Sequence, residues 1–276
     1  MSKISRPTKK RKPPYARKRF GQHFLTDPSI ITQIIAGARI APEDHIIEIG
    51  PGRGALTRPL VERGASLTIV ELDRDLVAGL KSEFEGNRQV KVVEGDILKT
   101  DWNELINPDK RNKIVANLPY NISSPIFFKL VAYRQNLDSV VIMVQKELAE
   151  RLQHTGDGKK LKDYGILSVV AGNTFTVNKI CDVPASCFSP APKVNSTVIR
   201  LIPKKVALEG EDDFFAFVRQ AFNNRRKLFT SFLLREHASL YEALPTKDQD
   251  FLKGLRPENL LPEQYFRLFS GQPLLD

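Results

Sequence analysis

Cysteine is nearly absent from this chain. Its 276 residues include two, Cys181 and Cys187, too few for a disulfide framework and without metal-ligand spacing. The four histidines, at positions 23, 45, 154 and 237, are scattered, so no zinc-type cluster and no bound metal is expected. No apolar run approaches the ~18 residues of a membrane span, and no secretory stretch leads the sequence. These absences exclude disulfide-stapled, zinc-centred and membrane-embedded classes and point to a cytoplasmic protein. With 41% hydrophobic residues the chain can bury a full core, as one large domain or two unequal ones.

Acidic residues are missing from positions 1–20, which hold nine of the 42 lysines and arginines; the remainder carries 33 basic and 32 acidic residues. The net charge of +10 therefore belongs to this segment and not to the body. Pro7, Pro13 and Pro14 argue against a helix there, so the segment reads as a mobile basic arm. Such an arm gains affinity for a polyanion through counterion release. The same run also fits a solubilising tail or, at KKRKP, a nuclear-import signal.

From about residue 24, β-rich runs alternate with helical patterns, the arrangement of a parallel sheet covered on both faces. Strands are predicted over 46–50, 66–72, 90–96, 113–118, 139–145 and 196–202, with a weaker one near 177–183. Ile30, Ile31, Ile34 and Ile35 recur at helical spacing, as do Leu56, Leu60 and Val61, then Leu76, Leu80 and Phe84. After Pro203 the pattern turns helical, which places a domain boundary near residue 205. The expected architecture is α/β: a Rossmann-like catalytic domain over 21–204 and a smaller helical domain over 205–276.

EIGPGRGAL (48–56) follows a strand and opens a helix, so Gly50, Gly52 and Gly54 permit a tight turn and close approach of a ligand to backbone N–H groups. By itself this serves nicotinamide, flavin and S-adenosylmethionine binders and plain turns alike; its spacing is G-x-G-x-G, not the dinucleotide G-x-G-x-x-G. Glu71 ends the next strand, where a carboxylate accepts hydrogen bonds from a ribose. Asp96 ends the third, suited to an adenine amino group or to capping a turn, and Ile97 beside it offers apolar surface. Three such groups at three successive strand ends point to an adenosine-containing ligand.

The fourth strand runs into Asn117-Leu118-Pro119-Tyr120. Adenine's exocyclic amine is a poor nucleophile because its lone pair is delocalised into the ring, and it must pyramidalise to attack a methyl group. The Asn117 oxygen and the Leu118 carbonyl are suited to hold the two amino hydrogens, Pro119 has no competing N–H, and Tyr120 is placed to stack on the base. An isolated N-L-P-Y also fits a proline-containing strand exit. In order after the glycine loop, Glu71 and Asp96, it favours methyl transfer to an amine.

At this point the chain resembles the ribosomal RNA adenine dimethyltransferases, and within them the small-subunit type. The resemblance spans nearly the whole chain and includes GQHFL (21–25), EIGPGRGALT, NLPYNISSPI, MVQKELAERL (143–152), CFSPAPKVNST (187–197) and FNNRRKLF (222–229). It implies S-adenosylmethionine as cofactor, contacted by His23, Leu25, Gly50, Gly52, Glu71, Asp96, Ile97 and Asn117, with Gln22 shaping the site. His23 stands where many relatives carry Asn. The resemblance also implies that Asn117, Leu118 and Tyr120 bind the target adenine and that Phe188 covers it from the other side.

The implied substrate is a pair of adjacent adenosines in a hairpin loop near the 3′ end of 16S rRNA, in naked RNA or an immature small subunit, acted on by a monomer and each dimethylated. Arg225, Arg226 and Lys227, with the arm, are candidate phosphate contacts; a solvated basic helix face is the plainer reading of the three. Competing readings are a large-subunit methylase of the macrolide-resistance type, a non-catalytic RNA-binding assembly factor and a nicotinamide oxidoreductase.

Overall fold

The computed structural model describes residues 22–156, 163–205 and 210–275, so the basic arm lies outside the described residues. Strand β1 (Phe24–Leu25) leads into helix α1 (Pro28–Ala38), then β2 (His45–Ile49), α2 (Thr57–Val61), β3 (Ser66–Glu71), α3 (Arg74–Glu83), β4 (Val90–Glu94) and β5 (Asn112–Asn117). Next come α4 (Ser123–Tyr133), β6 (Leu137–Gln145), α5 (Lys146–Gln153), α6 (Ile166–Thr174), β7 (Phe175–Val183), β8 (Phe188–Ser189) and β9 (Ser196–Pro203). Beyond β9 the described helices are α7 (Glu211–Asn223), α8 (Phe229–Glu236), α9 (Ala238–Glu242), α10 (Thr246–Leu252) and α11 (Pro262–Phe269).

The main sheet has seven strands in the order β4-β3-β2-β5-β6-β9-β7, parallel except for β9, which runs antiparallel to both neighbours. The chain steps outward from β2 to β4, then returns to β5 beside β2 and proceeds the other way. That reversal opens a cleft at the carboxyl ends of β2 and β5, where open α/β sheets receive ligands. The expected Rossmann-like sheet and helical C-terminal part are both present.

Strand periodicity divides the core between the two faces of the sheet. In β2, Ile46 joins one apolar cluster while Ile47 and Ile49 join the other; in β6, Val141 and Met143 face opposite to Val140, Ile142 and Val144. Helix α1 starts where the Asp27 carboxylate accepts from the backbone N–H groups of Ser29 and Ile30, and it ends at Arg39 in a left-handed conformation. Its buried stripe of Ile30, Ile34, Ile35 and Ala38 covers one face.

The other cluster runs unbroken from the sheet into the C-terminal helices, taking in Phe214, Phe217, Phe229, Phe232 and Tyr265. At this seam α6 meets α11 so closely that a Cβ on Gly172 would stand 2.6 Å from Pro262 Cβ and Cγ. Among the described residues, no helix is long and apolar enough to cross a membrane.

A second sheet was not legible in the sequence. Strand β1 pairs antiparallel with β8, Phe24 opposite Ser189 and Leu25 opposite Phe188. Two-residue strands carry no periodic signal, and these are separated by more than 160 positions.

Candidate active site

The turn after β2 needs glycine: Gly50 and Gly52 have φ of 64° and 59°, and a Cβ on Gly52 would stand 3.1 Å from the Phe24 ring. The loop and the ends of β2, β3, β4 and β5 enclose a cavity of about 270 Å³. Gln22, His23, Leu25, Gly50, Gly52, Glu71, Asp96, Ile97, Asn117, Leu118 and Tyr120 all line it.

Glu71 is held rigidly at the rim. Its Oε1 accepts from the N–H groups of Leu72 and Asp73, both at 2.9 Å, and Oε2 accepts from Gly52 N at 3.2 Å. Carboxylate oxygens accept about two hydrogen bonds each, so Oε2 retains capacity for a ligand hydroxyl. Burial nevertheless raises the Glu71 carboxyl above its ordinary pKa, outweighing the three donors. In the turn just beyond the next strand, Asp96 Oδ1 accepts from Leu98 N at 3.0 Å, and Oδ2 has no partner among the described residues. Asp96 thus caps its turn with one oxygen, and the other is not used by that cap.

Asn117 ends β5, and its carboxamide nitrogen donates to the His23 carbonyl at 3.2 Å. With the amide nitrogen so committed, Oδ1 is the acceptor in the cavity wall. The Leu118 N–H donates to Met143 O on β6, fixing the strand exit. The Tyr120 hydroxyl lies 2.8 Å from Ser196 Oγ at the start of β9, and its ring stacks with the His23 imidazole at 5.6 Å and 23°. His23 Nδ1 in turn bonds the Pro190 carbonyl at 2.8 Å, and Gln22 donates to Asp73 at 3.3 Å.

Phe188 stands outside the lining of this cavity, buried in the apolar cluster with Leu25, its partner across the β1–β8 ladder, where the small sheet holds it beneath the leading strand. The basic triplet is likewise not a helix face: Arg225, Arg226 and Lys227 lie in the turn between α7 and α8. Arg225 Nε is 3.5 Å from Glu258, whereas Arg226 and Lys227 are exposed.

One buried acid of the cavity escaped sequence reasoning. Glu48, 1% exposed on β2, has both carboxyl oxygens without a hydrogen-bond partner among the described residues. Burial pushes its carboxyl up to about 8, the nearby Glu71 charge adds to the shift, and the Arg58 charge opposes it. The available signal was a lone acid within the apolar run IIEIG.

The residues present suit S-adenosylmethionine: Glu71 Oε2 for the ribose, Asp96 Oδ2 for the adenine amine, the glycine turn for close approach, and an uncompensated buried carboxyl within reach of the same cavity.

Comparison with known proteins gives a consistent result. The profile described as "Ribosomal RNA adenine dimethylase" matches residues 15–269. A "Ribosomal RNA small subunit methyltransferase A" from Shewanella pealeana is 40% identical over 259 residues, covering 91% of this chain and 92% of the relative. Among solved structures, a dimethyladenosine transferase from Plasmodium falciparum is similar with a TM-score of 0.74 at 30% identity, covering 90% of this chain and 96% of that one. The 23S rRNA methyltransferase ErmE follows at TM-score 0.68 and 26% identity, covering 90% and 98%.

Proposed function

Because this chain belongs to the ribosomal RNA adenine dimethylase family, we propose that its cavity seats S-adenosylmethionine beside one adenosine of small-subunit ribosomal RNA. The protein is an S-adenosylmethionine-dependent rRNA adenine dimethyltransferase. Its substrate is a pair of adjacent adenosines in a hairpin loop near the 3′ end of 16S rRNA, each dimethylated at the exocyclic amine during ribosome biogenesis.

The observation that carries the site assignment is the Asn117–His23 hydrogen bond, which leaves Asn117 Oδ1 as an acceptor at the carboxyl end of β5. Two acceptors, Asn117 Oδ1 and the Leu118 carbonyl, hold the target amine's hydrogens and draw its nitrogen toward the pyramidal geometry that attack requires. Tyr120 offers the stacking face for a base taken out of its stack, with Ser196 fixing the ring. The cofactor supplies a methyl group made electrophilic by the attached positive sulfur. Glu71 holds the ribose, Asp96 and Ile97 the adenine, and His23 and Leu25 close the site from the leading strand. The protein thus acts by alignment and fixed dipoles, and the surplus amine proton leaves to water. In the second transfer only one amino hydrogen remains, so Asn117 and Leu118 contribute unequally to the two steps.

Residues 21–204 form the catalytic part in this reading and 205–276 present Arg226 and Lys227 to RNA phosphates, while Arg225 steadies their turn through Glu258. The enzyme works as a monomer in the cytoplasm, where immature small subunits are found; all the groups assigned to the chemistry come from one chain.

The test is incubation with S-adenosylmethionine and small subunits lacking the modification, followed by mass spectrometry of rRNA fragments. Two neighbouring dimethyladenosines in one hairpin are expected. Modification of large-subunit RNA alone would favour the macrolide-resistance type, and cofactor binding without transfer an assembly factor.

A further inference from the structure

The turn that follows β4 bears the two residues assigned to the cofactor's adenine, Asp96 and Ile97, yet it is not part of any strand or helix. Within the turn, the Asp96 carbonyl accepts from Lys99 N and Thr100 N, both at 2.8 Å, and its carboxylate accepts from Leu98 N. The turn resembles a single helical coil, and its far end leaves carbonyl oxygens in need of donors.

Lys129 supplies them. From α4 its ammonium donates to Thr100 O at 2.7 Å and to Ile97 O at 3.2 Å. The Ile97 carbonyl also accepts from the buried Trp102 indole at 3.1 Å, and the Lys129 nitrogen lies 5.6 Å from the Trp102 ring centroid. A cation at the carbonyl end of a coil is favourably placed against its dipole. The helix bearing Lys129 is firmly seated: Ile126, Phe127 and Leu130 are buried, and Ser123 Oγ at its start donates to the Pro119 carbonyl of the target-base tetrapeptide at 3.0 Å. Burial lowers the lysine's pKa, opposed by the carboxylates of Asp101 and Asp96.

We infer that Lys129 is a positioning residue for the adenine end of the cofactor: by gathering the Ile97 and Thr100 carbonyls it holds Asp96 and Ile97 at the cavity wall and thereby supports selection of adenine. The inference rests on the reading that Asp96 meets the adenine amine. A ligand with oxygen in place of that amine would set an acceptor against the Asp96 carboxylate, so selectivity for adenine reports directly on how well Asp96 is placed.

The experiment is calorimetric binding of S-adenosylhomocysteine and of S-inosylhomocysteine, in which the adenine amine is replaced by a carbonyl, to the full chain and to Lys129→Met, Lys129→Leu, Lys129→Arg and Asp96→Ala. The parent protein is expected to prefer the adenine ligand at least ~10-fold, and Asp96→Ala to lose that preference. Lys129→Met should bind S-adenosylhomocysteine about 5- to 10-fold more weakly and lose most of the preference, with KM for S-adenosylmethionine raised more than kcat is lowered; Lys129→Arg should restore both. Lys129→Leu, which likewise lacks a donor, serves if the methionine variant fails to fold. No preference in the parent, or none lost in Asp96→Ala, overturns the adenine reading itself. Preference lost in Asp96→Ala but retained in full by folded Lys129→Met or Lys129→Leu overturns the role of Lys129 alone.

Discussion

The carboxamide nitrogen of Asn117 stands 3.2 Å from the main-chain oxygen of His23, so the residue that ends the central strand β5 is oriented by the segment just before β1. An amide whose donor side is bound to a carbonyl presents its acceptor side elsewhere. The same histidine stacks on Tyr120 and is itself held through Nδ1 by Pro190. One residue of the leading segment therefore steers two residues of the tetrapeptide proposed to bind the target base, and the β1–β8 ladder keeps that segment in place.

Tyr120 contributes a ring and a hydroxyl, and these are separable. Tyr120→Phe removes only the bond to Ser196 and is expected to lower kcat/KM for RNA by about 2- to 5-fold, whereas Tyr120→Ala removes the stacking face and should lower it ~30-fold or more. Steady-state kinetics on small subunits distinguish the two; equal losses would place the role in the hydroxyl.

Glu71 accepts three backbone N–H groups and has capacity left on Oε2. Glu71→Ala orphans those donors and removes the proposed ribose acceptor, so S-adenosylhomocysteine affinity should fall at least ~10-fold by calorimetry. Unchanged affinity would remove Glu71 from the binding site.

The buried Glu48 makes stability depend on pH. Folded, it keeps its proton to about pH 8; unfolded, it releases it near the ordinary 4.5. The folded state therefore binds more protons across that window, and this contribution to stability is full below about 4.5, declines as pH rises to about 8 and is level above it. Glu48→Gln should accordingly melt higher than the parent by a margin that widens from pH 5 to pH 8, measured without cofactor. A constant margin would mean that Glu48 does not titrate in this range.

At the seam between the sheet and the C-terminal helices, Gly172→Ala drives a methyl into Pro262. A loss of ~1–3 kcal/mol is expected, a fall in Tm of several degrees, by calorimetric melting. A melting point unchanged within a degree would show that α6 and α11 part without cost.

Much of this was legible in the sequence because it rests on short-range pattern. Near-continuous apolar runs locate β2, β5 and β6, and glycines after a strand locate the turn at Gly50 and Gly52. The acids Glu71 and Asp96 follow from their place at strand ends. What was not legible depends on pairings between distant positions: the β1–β8 ladder that buries Phe188, the Arg225–Glu258 contact that takes one arginine of a basic triplet, and the reach of Lys129 to the turn after β4. None of these leaves a periodic trace, and a two-residue strand is too short to leave one.

The central chemical role proposed here is that of Asn117, and single-turnover methyl transfer by Asn117→Ala, with S-adenosylmethionine saturating and small subunits in excess, tests it most directly. The rate should drop ~100-fold or more while S-adenosylhomocysteine affinity stays within about tenfold of the parent. Transfer at the parent rate would contradict the assignment of Asn117 as the acceptor that activates the adenine amine.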